Sequence, residues 1–168
     1  MDLLVIRHGI AEDRDAFAAS GTDDALRPLT DEGRRKMRQV ARGLTTLVPA
    51  LDLLASSPLV RARQTADLLA KAYSGLPVTE ITQLEPDQPP EAFAEWLRGQ
   101  SRRGAVAAVG HEPLLGCIVS LFLAERAQSF IELKKGGACL VGFPDRVEPG
   151  AGVLRWALTP GALRDLRG

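Results

Sequence analysis

The chain contains two histidines, and each stands just past an apolar run. His8 lies in Val5-Ile6-Arg7-His8-Gly9 and His111 in Val109-Gly110-His111-Glu112-Pro113, each beside a glycine whose missing Cβ lets a ligand approach the backbone closely. An arginine precedes the first histidine, and Arg61 follows another apolar run in Ser57-Pro58-Leu59-Val60-Arg61. A guanidinium is a rigid fork of N–H donors that matches two oxygens of one phosphoryl group. An imidazole, neutral or charged near pH 7, attacks, donates or accepts. Singly, each residue has a plainer reading as a satisfied strand-end histidine or a surface arginine. Together, Arg7, His8, Arg61 and His111 suit a tetrahedral dianion, provided the fold brings them to one place.

The elements expected around them would do so. Residues 3–6 form a short apolar run that reads as a buried strand, and 51–56 and the small, β-type run 105–109 read the same way. Thr30 caps a helix that Asp31 and Glu32 favour at its positive end, with Met37, Val40, Ala41, Leu44, Leu47 and Val48 on one face. Arg34, Arg35, Arg38 and Arg42 share the other face, which reads as solvated. Ser57 is the expected N-cap of a second helix running to about Tyr73, with Pro58 at its first position and Arg61 in its first turn. A third strand is expected over 78–81, a proline-rich loop over 84–89, an amphipathic helix over 90–98 and a buried helix over 114–124. Residues 138–143 and 152–158 read as antiparallel edge strands, and 160–166 as a short terminal helix. Between the first strand and Thr30, residues 10–28 form a long loop with one short helix near 14–19 and a turn at Gly21-Thr22-Asp23-Asp24. Alternation of this kind predicts an α/β fold with a mostly parallel sheet flanked by helices. The carboxyl ends of its strands then share one edge, where all four residues would meet and helix starts after Ser57 and His111 would add N–H donors.

The totals set limits on other readings. The 168 residues, 45% hydrophobic and 25% charged, suit one soluble domain spanning the chain. Twenty-one Lys and Arg balance twenty-one Asp and Glu, so no global field favours nucleic acid or an anionic membrane, and any anion site must be local. No basic leader opens the sequence and no apolar stretch approaches the roughly 18 residues of a spanning helix, which points to the cytoplasm. Cys117 and Cys139 lie in apolar segments and read as core thiols, not as a disulfide or a metal site.

In its motifs the sequence resembles the histidine phosphatase superfamily. Leu4-Val5-Ile6-Arg7-His8-Gly9 matches the family's Arg-His-Gly signature. The match extends through Arg27-Pro28-Leu29-Thr30 with Gly33, through Ser57-Pro58-Leu59-Val60-Arg61-Ala62-Arg63-Gln64-Thr65, and through Val109-Gly110-His111-Glu112-Pro113. Within the superfamily, the length and the second and fourth blocks look most like the small SixA-type phosphohistidine phosphatases. The resemblance implies a phosphoglycerate mutase-like three-layer sandwich and a metal-independent phosphatase without a cofactor. It implies that His8 takes the phosphoryl group as a phosphohistidine intermediate, that Arg7 and Arg61 clamp its oxygens, and that His111 donates to them. Arg27 and the Ser57 hydroxyl are second-tier phosphate contacts, or else a loop brace and a helix cap.

Many members of the superfamily carry an inserted lid, with a carboxylic acid, where this chain has only the short stretch 75–89. Glu85, Asp87 and Glu12 are the positions from which an acid could come, although each also reads as a solvated loop carboxylate. An open, acid-poor site favours phosphohistidine, whose imidazole leaves easily, over an alkyl phosphate, and admits a side chain protruding from a folded protein. The expected partner is therefore a phosphorylated protein of the histidine-phosphotransfer type or a small phosphorylated substrate, in a signalling role. Two other readings are a small-molecule phosphomonoesterase that uses one of the three carboxylates, and a non-catalytic phosphate-binding module. The intact His8 speaks against the module.

Overall fold

Leu3, Leu4, Val5 and Ile6 are all fully buried, because their strand runs through the middle of the sheet with helices on both sides. The computed structural model describes residues 1–166. In chain order its strands are β1 (Asp2–Arg7), β2 (Leu53–Ser56), β3 (Val78–Glu80), β4 (Ala105–Gly110), β5 (Ala138–Gly142) and β6 (Val153–Leu158). Its helices are α1 (Arg14–Ala18), α2 (Asp31–Leu47), α3 (Val60–Ala72), α4 (Pro90–Arg98), α5 (Leu114–Ala124) and α6 (Pro160–Asp165). The sheet order is β3-β2-β4-β1-β5-β6. The first four strands run parallel, and β5 and β6 are antiparallel at the far edge. This is the α/β sandwich with an antiparallel C-terminal edge that the sequence predicts.

Strand alternation divides the interior into two cores. Leu3 and Val5 of β1, with Val106 and Ala108 of β4, pack against Phe93, Leu97 and Ile118 of α4 and α5. Leu4, Ile6, Ala107 and Val109 face the other way, onto Met37, Val40 and Leu44 of α2, Ala66 and Leu69 of α3, and Leu163 of α6. The chain leaves β1 toward β2 on one side and leaves β4 over α5 toward β5 on the other. The crevice at the carboxyl ends of β1 and β4 is therefore the topological switch point, where open α/β sheets bind ligands.

Two local expectations need correction. Ser57 does not cap α3, which begins at Val60 after Leu59 with no side-chain cap, so Pro58 lies outside the helix. The second strand starts at Leu53, because Asp52 turns its carboxylate to the N–H groups of Gly104 and Ala105 and ends the approach to the sheet there. Thr30 does cap α2, accepting from the Gly33 N–H at 2.9 Å. Among the described residues no helix is long and apolar enough to cross a membrane.

Candidate active site

Ladder register fixes the floor of the site. Arg7 pairs with Gly110 and Ser56 with Val109, and the N–H groups of His8 and Ser57 continue the ladder onto the carbonyls of Gly110 and Val109. The residues next beyond the pairing are His8, Ser57 and His111, side by side at one edge. The rings of His8 and His111 lie 5.1 Å apart between centroids. Arg61, in the first turn of α3, joins them from the neighbouring strand-to-helix connection. Arg7, His8, Arg61 and His111 share the wall of a cleft of about 900 Å³ with Arg27, Glu12, Glu85 and Asp87, so the loop carboxylates singled out in the sequence reach the same cavity. Ser57 does not line it. Its side chain is fully buried and its hydroxyl bonds His111 Nε2 at 2.9 Å while accepting from the Leu59 N–H at 3.3 Å, so it holds the imidazole and has no surface for a phosphate.

Each polar side chain of the floor is tied by a hydrogen bond on one side. His8 Nδ1 lies 2.7 Å from the Gly9 carbonyl, a contact that requires a proton on Nδ1 and leaves the lone pair on Nε2. Burial, with the charges of Arg61 and Arg7 added, pushes the His8 pKa down to about 3, so the ring is neutral at pH 7. Burial likewise takes His111 down to about 2, and its Nδ1 has no partner. Arg7 donates from Nη1 to the Leu133 carbonyl at 2.7 Å. Arg61 donates from Nη1 to the Asp24 carbonyl at 2.9 Å, and its Nη2 lies 3.1 Å from Asp24 Oδ2. The Nε–H of both arginines is buried without a partner. Three unpartnered buried nitrogens thus belong to the floor around a neutral imidazole, and buried polar atoms are rarely left so.

Surrounding contacts account for the other motif positions. Gly9 lies close under α2, where a Cβ would stand 2.6 Å from Met37 Cγ and would displace that side chain. Its N–H donates to Thr65 Oγ1, which in turn donates to the Arg61 carbonyl, and Gln64 Oε1 accepts from the Leu29 N–H. The block from Arg61 to Thr65 therefore supplies one cleft residue and two clasps on the loop that follows His8. Arg27 is a brace: its Nε meets Asp24 Oδ1 at 2.7 Å and its Nη1 the Glu12 carbonyl at 2.8 Å, although it also lines the cleft. The helix starts offer less than expected, because Gly116 N–H in the first turn of α5 donates to Glu112 Oε2 and Leu115 N–H to the His111 carbonyl.

The residues that sequence reasoning missed hold the others in place. Asp24 was legible only as part of a turn. Its spacing from Arg27, three residues on across a short 3-10 segment, is the one sequence signal that paired them. Glu112 was legible only as a motif letter. It accepts from the Leu133 N–H at 2.8 Å and so anchors the residue whose carbonyl holds Arg7. Lys135, also on the cleft wall, sits in a segment where the sequence gives little pattern.

A strand-end Arg-His-Gly, a second arginine opening a helix and a second histidine at the neighbouring strand end meet in one cleft of an α/β sandwich. Residues 3–85 match the family model of the histidine phosphatase superfamily (branch 1). The chain is 38% identical over 140 residues to an uncharacterised protein of Picosynechococcus sp., an alignment covering 82% of each. The chain belongs to the histidine phosphatase superfamily. Its fold is similar to that of the protein histidine phosphatase SixA complexed with tungstate, with a TM-score of 0.83 and 23% identity over 97% of this chain and 99% of that one. It is also similar to the alpha-ribazole phosphatase from Shigella flexneri, with a TM-score of 0.76 and 19% identity over 95% of this chain and 97% of that one.

Proposed function

We propose that the protein is a phosphatase that hydrolyses phosphohistidine through a transient phosphohistidine on His8. The observation that carries this reading is the set of three unpartnered buried nitrogens, Arg7 Nε, Arg61 Nε and His111 Nδ1, beside an imidazole whose lone pair is confined to Nε2. In the first step Nε2 attacks phosphorus, and the bond from phosphorus to the substrate imidazole breaks with its electrons going to that ring nitrogen, which takes up a proton from solvent. His8 keeps its Nδ1–H on the Gly9 carbonyl, so the phosphorylated ring is a cation and a good leaving group. In the second step water attacks phosphorus, the P–Nε2 bond breaks with its electrons returning to Nε2, and orthophosphate leaves. Both arginines and His111 contribute by meeting the equatorial oxygens as charge spreads onto them.

The two carboxylates tied into the floor support this substrate class. The Arg27 guanidinium, aided by Arg61, holds the Asp24 carboxyl below its ordinary value, so at pH 7 it has no proton to give. Burial raises Glu112, but both its oxygens accept backbone N–H groups. A leaving group that needs little help suits such a site, and imidazole is one. The name of the SixA structure, a protein histidine phosphatase, supports the same substrate. The test is to incubate the protein with a phosphohistidine peptide and, separately, with sugar phosphates, and to quench early. Acid-labile, alkali-stable label on the protein from the peptide, absent in His8→Ala, is the expected result. Faster turnover of the sugar phosphates would move the reading to a phosphomonoesterase. Tight phosphate binding with no label from either would make the protein a binding module.

A further inference from the structure

The rim of the cleft carries the opposite sign to its floor. Seven carboxylates and five Lys or Arg side chains line the wall, so a cavity fitted for a dianion is itself formally negative. Arg61, buried, and Arg7, half-buried, lie at the bottom, while Glu12 and Asp87 are exposed and Glu85 is half-buried, with the exposed Arg14 and Lys135 as the outer cations. Other acids nearby are occupied by the fold: Asp13 and Asp23 cap the starts of α1 and of the 3-10 turn, and Asp24 is held by Arg27 and Arg61. The side chains of Glu12, Glu85 and Asp87 take no hydrogen bond or ion pair from any described residue. Nothing in the packing of the chain uses these three charges. Beside the mouth, a second groove shares Glu112 and Pro113 with the cleft and presents Phe130, 58% exposed, next to Glu132.

We propose that this rim selects a phosphoryl group presented on a cationic protein segment, with Glu12, Glu85 and Asp87 as the specificity-determining residues and Phe130 as an apolar contact. The proposal rests on the reading that the floor binds the transferred phosphoryl group. A phosphoryl dianion meets the guanidiniums of Arg7 and Arg61 and His111, and whatever carries it projects past the three free carboxylates. A carrier with lysines or arginines around the phosphorylated residue gains from them, both in encounter and in the bound state. Nucleotides and bisphosphorylated sugars bring further negative charge to the same rim and are repelled. An apolar contact on the adjoining groove is within reach of a protein surface and out of reach of a small phosphate ester.

The test compares two phosphohistidine peptides of equal length, one flanked by lysines and one by glutamates, with phosphoramidate as a carrier-free substrate. Exposed ion pairs are individually weak, so three acting together should separate the peptides by about tenfold in kcat/KM at low salt, closing as salt screens the rim. In the triple variant Glu12→Gln, Glu85→Gln, Asp87→Asn the gap should fall to about twofold, the lysine peptide slowing and the glutamate peptide speeding up. Phosphoramidate turnover with equal rates for the two peptides, or a gap that the triple variant leaves intact, overturns the proposal and spares the reading of the floor. Failure of the wild-type protein to hydrolyse any of the three substrates overturns the reading, and the proposal with it. The salt dependence of the wild-type gap decides the matter independently should the triple variant fold poorly.

Discussion

Replacing Asp24 by asparagine keeps the side-chain shape and one acceptor while removing the charge that faces Arg61. Three contacts change character: Asp24 Oδ2 with Arg61 Nη2 at 3.1 Å, Oδ1 with Arg27 Nε at 2.7 Å, and the outer Arg14 at 4.0 Å. The Asp24 side chain is 37% exposed and Arg61 is 6% exposed, so the pair is screened from one side only. The loss of stability is then about 1–2 kcal/mol, above a surface pair and below a buried one. The larger effect is on aim. Holding Nη1 and Nη2 leaves the Nε edge of Arg61 for the transferring group, and removing such a donor altogether, as in Arg61→Ala, costs about 3 kcal/mol of transition-state stabilisation. Asparagine retains the backbone contact to Nη1 and a neutral acceptor, so about half of that cost, roughly tenfold in kcat, is expected. KM should stay level or fall, because a negative charge near the bound dianion has gone. Steady-state kinetics with the phosphohistidine peptide, alongside inhibition by orthophosphate, reads both. Unchanged kcat in Asp24→Asn and Asp24→Ala, or a rise in KM alone, would refute the positioning role. Stability gives a second check. The folded Asp24 titrates below its ordinary 3.8, so its contribution is present above that pH and is lost as pH falls through the lower folded value. The gap in stability between wild type and Asp24→Asn should therefore close in acid.

Ser57→Ala leaves His111 Nε2 buried without its partner and should cost about 1–3 kcal/mol of stability. Its kcat should fall while KM holds, whereas a hydroxyl that bound phosphate directly would move KM. His8 and His111 should both stay neutral as the free protein is taken from pH 7 to pH 5, since burial holds them down to about 3 and about 2. Imidazole NMR reads this directly, and a midpoint near 6.5 for either ring would contradict the buried, cation-flanked environment. Because both folded values lie below the unfolded one, the two groups also make stability fall as pH drops below about 6.5, the unfolded histidine binding the proton first.

The floor of the site was legible in the sequence because strand periodicity and sheet edge are local properties. Apolar runs that stop at Arg7-His8 and Gly110-His111 place those residues at strand ends, and alternating α and β segments bring strand ends together whatever the details of packing. The helix that carries Arg61 was legible for the same reason, yet its first turn was not. Ser57-Pro58 is a good capping pattern, but the Ser57 hydroxyl is held on His111 Nε2 and reaches only the Leu59 N–H, so the helix begins at Val60. The loops were the illegible part. Asp24 meets Arg61 across 37 residues and Leu133 meets Arg7 across 126, and no local period reports contacts at such separations.

The two arginines nevertheless follow one plan, which explains why illegible loops matter here. Each guanidinium gives Nη1 to a backbone carbonyl on a loop, Asp24 for Arg61 and Leu133 for Arg7. Each of those residues is fixed by a carboxylate in turn, Asp24 by its own side chain on Arg27 and Leu133 by Glu112. A long cationic side chain otherwise carries considerable rotamer freedom, and a clamp that must find its orientation during reaction would surrender much of the benefit of preorganisation. Strand ends and the first turn of α3 therefore supply the imidazoles and the guanidiniums, while the loops supply their direction. Variation at Asp24 or Glu112 should consequently alter turnover without touching the reacting atoms, whereas variation at Glu12, Glu85 or Asp87, which the fold does not use, is free to alter what the site accepts.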